Sequence, residues 1–247
     1  MKNLFTFTFI VFAVCSCFAQ VKSGKITYRV TSDSTSYIDS LANDPNTSQH
    51  ILEVNKRDVS EAKPVNYFLI FNNKASIFIP EYDISEMRRL KLGMNYTAFI
   101  TKFDFKFYTD RKTNEVYGQS TFVDRVNILY DDIHWTLTQE TKQIGAYTCY
   151  KAITFVSEEQ DYGYNHTKPI TAWYTPQIPV SFGIQEFSGL PGLILEMDMG
   201  IQYGDIHFEA VKIELNIDSN DKIENNKGKV ISEAEYVKLI KELNANR

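Results

Sequence analysis

Short runs of alternating apolar and polar residues recur along this chain, and that two-residue period commits most of it to β-strands with one face in a core. Ile26, Tyr28 and Val30 alternate with Lys25, Thr27 and Arg29. The stretches 66–71 and 75–79 flank Asn72-Asn73-Lys74, which reads as a hairpin because asparagine tolerates left-handed backbone. Further strands are expected at 95–100, 104–108, 115–122, 133–139, 147–156, 170–174, 193–199 and 206–215. In the last of these Ile206, Phe208 and Ala210 share one parity and Val211, Ile213 and Leu215 the other, so a β-bulge is expected near Ala210. Seventeen phenylalanines and fifteen tyrosines fit pleated, half-buried surfaces better than helices.

Helical signals are few. Asp83 with Glu86 can open a short helix ending at Gly93, and Ser232-Glu233-Ala234-Glu235 is a capping-box sequence before the stripe Tyr236, Leu239, Ile240 and Leu243. Between 31 and 64 the pattern fades into Ser, Asn, Asp and Pro, an irregular surface segment with at most one helical turn near 50–56. The expected fold is mainly β: a single curved antiparallel sheet or half-barrel with the C-terminal helix packed across it, LolA-like at fold level.

The N-terminus reads as a targeting segment. Lys2 supplies charge, residues 4–14 an apolar stretch, and Cys17-Phe18-Ala19 a small-residue cleavage site. Residues 1–19 are therefore expected to be a signal peptide and 20–247 one domain, exported to the periplasm or the periplasmic face of the outer membrane. Lipidation at Cys17 is the alternative, disfavoured by a second cysteine at position 15. Cleavage leaves only Cys149, so an internal disulfide is excluded. No later apolar run is long enough for a transmembrane segment. A net charge of −5 without a long basic run argues against nucleic acid.

One motif is specific. Gly189-Leu190-Pro191-Gly192-Leu193-Ile194 reads as a turn feeding a strand: proline fixes its own φ, Leu190 is pushed into extended backbone, and Gly192 can take the positive φ of a type II turn. Beyond it Leu193, Leu195, Met197 and Met199 alternate with Ile194, Glu196 and Asp198, the two acids reading as solvated. A required turn and a buried strand account for the whole motif. The alternative is a ligand or partner surface where Gly189 and Gly192 admit close approach.

The hexapeptide is preceded, in order, by Trp135, Leu137, Glu140-Thr141-Lys142, Ile144-Gly145, Tyr147, Cys149, Lys151-Ala152, Ala172-Trp173-Tyr174, Ile178-Pro179, Gly183 and Phe187. This block resembles the GLPGLI family, envelope proteins of the Bacteroidota without an assigned activity. The chain departs from that pattern at Gly183-Ile184, where members have Gly-Pro, and at 157–169, where they have a short Gly-Arg linker. The resemblance implies an envelope location and, as partner, an outer-membrane transporter of the TonB-dependent class.

Chemistry is sparsely signalled. Nucleophilic catalysis by Cys149 would need a histidine beside it, yet His50, His134, His166 and His207 show no mutual spacing. A soft metal such as copper could use Met197, Met199 and Cys149, although methionines at strand period are more often core. Binding is the stronger expectation: Trp135, Trp173 and Tyr174 could line a concavity under the curved sheet for an apolar or peptidic ligand. The protein is thus expected to be a non-enzymatic accessory or binding protein needing no cofactor.

Overall fold

The structure is a computed structural model that describes residues 21–82, 84–89, 95–120, 126–156, 164–217, 223–224 and 228–245. The leader 1–19, Asp83, Gly93 and residues 157–163 of the polar loop lie outside the described residues. Strands β1 (Gly24–Asp33), β2 (Val65–Phe71), β3 (Ala75–Pro80), β4 (Phe105–Asp110), β5 (Val116–Ser120) and β6 (Val126–Tyr130) come from the first half. The second half supplies β7 (Thr136–Ile144), β8 (Tyr147–Thr154), β9 (Ile170–Thr175), β10 (Leu193–Ile201), β11 (Gly204–Leu215) and β12 (Lys229–Ser232). All belong to one open sheet in the order β12-β6-β5-β4-β3-β2-β1-β11-β10-β9-β8-β7. Every pairing is antiparallel except β12 on β6.

The mainly β fold is thus a single open, curved sheet with a C-terminal helix, α5 (Glu233–Ala245). The helix is held at the β6 and β12 end, where Tyr236 meets Phe105 edge to face at 6.0 Å. The hairpin at Asn72 is present, but its asparagines are not left-handed; Asn72 Oδ1 instead accepts the N–H groups of Lys74 and Ala75. The phase slip in β11 is resolved as expected: Thr27 faces Lys212 and Tyr28 faces Ala210, leaving Val211 as the extra, bulged residue.

Three expectations are corrected. The segment 31–64 is not irregular, since α1 (Thr35–Asn43) and α2 (Gln49–Ser60) occupy it. Neither helix has a fully buried residue, and the Ser, Asn and Asp residues within both, which favour caps and turns, disguise them as loop. Residues 95–100 form no strand but helix α4 (Tyr96–Ile100), started by Asn95, whose side chain accepts the Thr97 N–H at 3.0 Å. A further short helix, α3, spans Ile84–Arg89. Finally, Gly192 does not adopt positive φ; Gly189 does, at +89°. The turn is a three-residue one around Pro191, closed by Gly192 N–H to Leu190 O at 2.8 Å.

The concave face is filled by the chain itself. Residues 176–192 leave β9 and return to β10 as an irregular hairpin, here called the tongue. Leu193 N–H donates to Ile178 O, Gly189 N–H to Ser181 O, and Ile184 and Phe187 exchange both backbone bonds at the tip. Ile178, Val180, Phe182 and Ile184 are buried at a two-residue period, joined by Phe187 and Leu190 from the returning arm. Phe182 reaches Phe71 of β2 at 5.6 Å, and the Tyr28 hydroxyl of β1 donates to Ile194 O at 2.6 Å. Among the described residues no helix is long and apolar enough to cross a membrane.

Candidate functional site

The expected aromatic trio does not share a cavity. Trp135 lies on the tongue: its indole N–H donates to Ser188 O at 2.8 Å, and its ring meets Phe187 edge to face. Trp173 and Tyr174 are successive strand residues and therefore point to opposite faces. Tyr174 turns inward beside Tyr150, whereas Trp173 lies on the outer face with the Lys142 ammonium 4.4 Å from its ring. Gly189, Leu190, Pro191, Gly192, Leu193 and Ile194 form the base of the tongue, with Leu190, Leu193 and Ile194 fully buried. The buried side chains of the tongue fill the concave side of the sheet at that point.

Cys149 is 0% exposed, and burial pushes its thiol up to about 11. Its strand partner is Lys142, and Lys151, of the same parity, faces Trp173. Cys149 therefore shares the outer face with these residues, while Ala152 and Ala172 face inward. Met197 and Met199 are buried in the apolar core. Met197 pairs with Ala172 and so points to the face opposite Cys149, which leaves the three sulfurs without a common centre.

The tongue tip carries a buried polar cluster that the sequence did not signal. Lys102 Nζ donates to Glu186 Oε1 at 2.6 Å and to the Tyr164 hydroxyl at 2.7 Å, and the Tyr164 hydroxyl also donates to Glu186. Glu186 is 4% exposed, and burial together with that carboxylate drives the Tyr164 phenol well above its ordinary pKa. Lys102 and Gln185 both hold positive φ, at 56° and 54°. Non-glycine residues in that region are strained, so packing and the cluster must hold them there. The Gln185 side chain donates to Thr101 O at 3.0 Å. The ion pair and the Gln185 hydrogen bond together pin the tip to the loop after α4.

Open space lies at the other side of that loop. A cleft of about 890 Å³ runs between α2, the start of β2, the end of β3 and α4. Its apolar lining is Val65, Tyr67, Tyr82, Met87, Tyr96, Phe99 and Phe103, and its polar edge is formed by Asp58, Glu61, Glu81 and Lys63. Phe99 is 55% exposed although it is a large aromatic in a helix. Asn95 ties the rim together, accepting the Lys63 N–H and donating to Lys63 O at 2.9 Å. Sequence reasoning missed the cleft because its walls come from elements up to fifty residues apart, and Phe99 fell in a stretch read as a strand.

A family model described as "Protein of unknown function (Porph_ging)" matches residues 135–169 and 158–196, the stretch from Trp135 through the tongue into β10. No curated protein matches the chain. Among solved structures, PNGF-II in one crystal form is similar with a TM-score of 0.52 and 18% identity, over 89% of this chain and 33% of that chain. A second crystal form gives a TM-score of 0.49 and 17% identity over 85% and 31%. LprF from Mycobacterium bovis gives a TM-score of 0.30 and 11% identity over 86% and 92%. The chain thus spans about a third of PNGF-II, and its likeness to that protein is one of fold.

Proposed function

We propose that this is a non-enzymatic binding protein of the cell envelope, whose apolar or peptidic ligand lies in the cleft between α2, β2 and α4. The observation that carries the reading is the exposed Phe99 above an aromatic floor, in a cleft whose size suits a small ligand or a short peptide segment. Three carboxylates against one lysine at its edge favour a ligand that is neutral or basic at the end it leaves in water. The envelope location rests on the leader-like N-terminus and on the family resemblance. That resemblance alone is the ground for an outer-membrane transporter as partner.

Native mass spectrometry of protein purified from its own envelope tests the reading. A non-protein or peptide mass should co-purify with the wild type and be absent from Phe99→Asp, with the melting temperature unchanged because Phe99 is largely exposed. A wild-type protein free of ligand, or a ligand that Phe99→Asp retains, would overturn it.

A further inference from the structure

The outer face of the sheet carries a second group of side chains, unrelated to the cleft. Strands β10 and β11 pair with Glu196 opposite Glu209 and Asp198 opposite His207. Side chains two apart on a strand share a face, so the four form a two-by-two grid near the middle of the sheet. His207 Nδ1 lies 2.7 Å from Asp198 Oδ1, and Glu196, Asp198 and His207 each offer a donor atom within 4.8 Å of the other two.

We propose that Glu196, Asp198 and His207 form a divalent-metal site that binds zinc in preference to calcium and magnesium. Carboxylate oxygens and an imidazole nitrogen are donors that zinc takes at about 2.0–2.2 Å, and the three donor atoms lie within 4.8 Å of one another. Calcium and magnesium favour all-oxygen sets, so the imidazole selects against them. The register of two central strands holds the donors' backbone positions, which lowers the ordering cost of binding. Glu196 and Glu209 face each other as like charges, a destabilising arrangement on paired strands that a cation relieves. A groove of about 360 Å³ borders Asp198 and His207, which leaves one side of the ion open to water or to an exogenous ligand.

Lys142 is the internal competitor, since its ammonium forms an ion pair with Glu196 while lying over the Trp173 ring. Zinc entering the site displaces that ammonium from Glu196, so Trp173, which is paired with Glu196 across β9 and β10, reports binding through its fluorescence.

The test is a zinc titration of purified, EDTA-treated protein, read by calorimetry and by tryptophan emission. One zinc per chain is expected, with affinity falling on the order of tenfold or more in His207→Gln and in Asp198→Asn. Lys142→Met should bind more tightly, and Asp205→Asn, whose carboxylate is held by Lys168 beside the groove, should bind as the wild type does. Thermal melts of the metal-free variants establish that all are folded. Absence of saturable binding, binding unchanged in both His207→Gln and Asp198→Asn, or calcium binding as tight as zinc would each overturn the proposal.

Discussion

Gly192 sits against Thr175 so closely that a β-carbon on it would stand 2.3 Å from the Thr175 carbonyl oxygen. That distance is inside any real contact, and the obstructing atom is backbone, which cannot swing aside. The glycine is therefore required by close approach of the two ends of the tongue and not by its own dihedral angles. Gly189, three residues earlier, shows the reverse: φ is +89° and a β-carbon would meet only the Asn114 side chain at 3.5 Å.

The two glycines accordingly respond differently to substitution. Gly192→Ala, Gly192→Asn and Gly192→Val should all destabilise, each by at least the 1–3 kcal/mol or so typical of overpacking. Gly189→Val should cost about 1–3 kcal/mol from backbone strain alone. Gly189→Asn should cost much less, because asparagine tolerates positive φ. Thermal melts distinguish the patterns, and a tolerated Gly192→Ala would contradict the close approach.

Cys149 should be chemically quiet. Because burial raises its pKa to about 11, the thiolate is scarce at pH 8 and labelling by a thiol reagent should accelerate only as the pH approaches that value. The unfolded thiol ionises near its ordinary value of 9.0, so the contribution of this group to stability is fully present below that pH and is lost as the pH rises from there through about 11. Rapid labelling of native protein at pH 8 would contradict the burial of Cys149.

Fold and site were legible to different degrees. Strands β1 and the first half of β11 announce themselves because one face is dry and the other wetter, and even the bulge at Val211 follows from a change of parity. The tongue carries the same alternation, at Ile178, Val180, Phe182 and Ile184, but Pro179 and the absence of a regular ladder hide it. Its role as core depends on Phe71 and Tyr28, which are far away in sequence. The acids Glu196 and Asp198 are visible as one face of a strand, whereas their meeting with His207 requires the register of β10 against β11. Trp173 and Tyr174 cannot line one cavity together, because adjacent strand positions point to opposite faces.

The cluster at the tongue tip makes a strong prediction. Lys102→Met leaves the Glu186 carboxylate buried beside a single donor, the Tyr164 hydroxyl, among the hydrogen bonds described above, and removing one partner of a buried ion pair typically costs about 3–5 kcal/mol. The double variant Lys102→Met with Glu186→Gln should recover part of that loss, because no charge is then stranded. Urea denaturation of the two single variants and the double variant measures the coupling. Independent, additive effects would show that the pair does not hold the tip.

Hydrogen exchange of the tongue amides tests most directly whether this segment is the protein's core and not a mobile cover over an empty concavity. The N–H groups of Ile184, Phe187, Gly189 and Leu193, all bonded within the tongue and its base, should exchange as slowly as those of β1 and β2, through global unfolding only. Exchange of these four amides orders of magnitude faster than the sheet, and insensitive to mutations that lower global stability, would contradict the account.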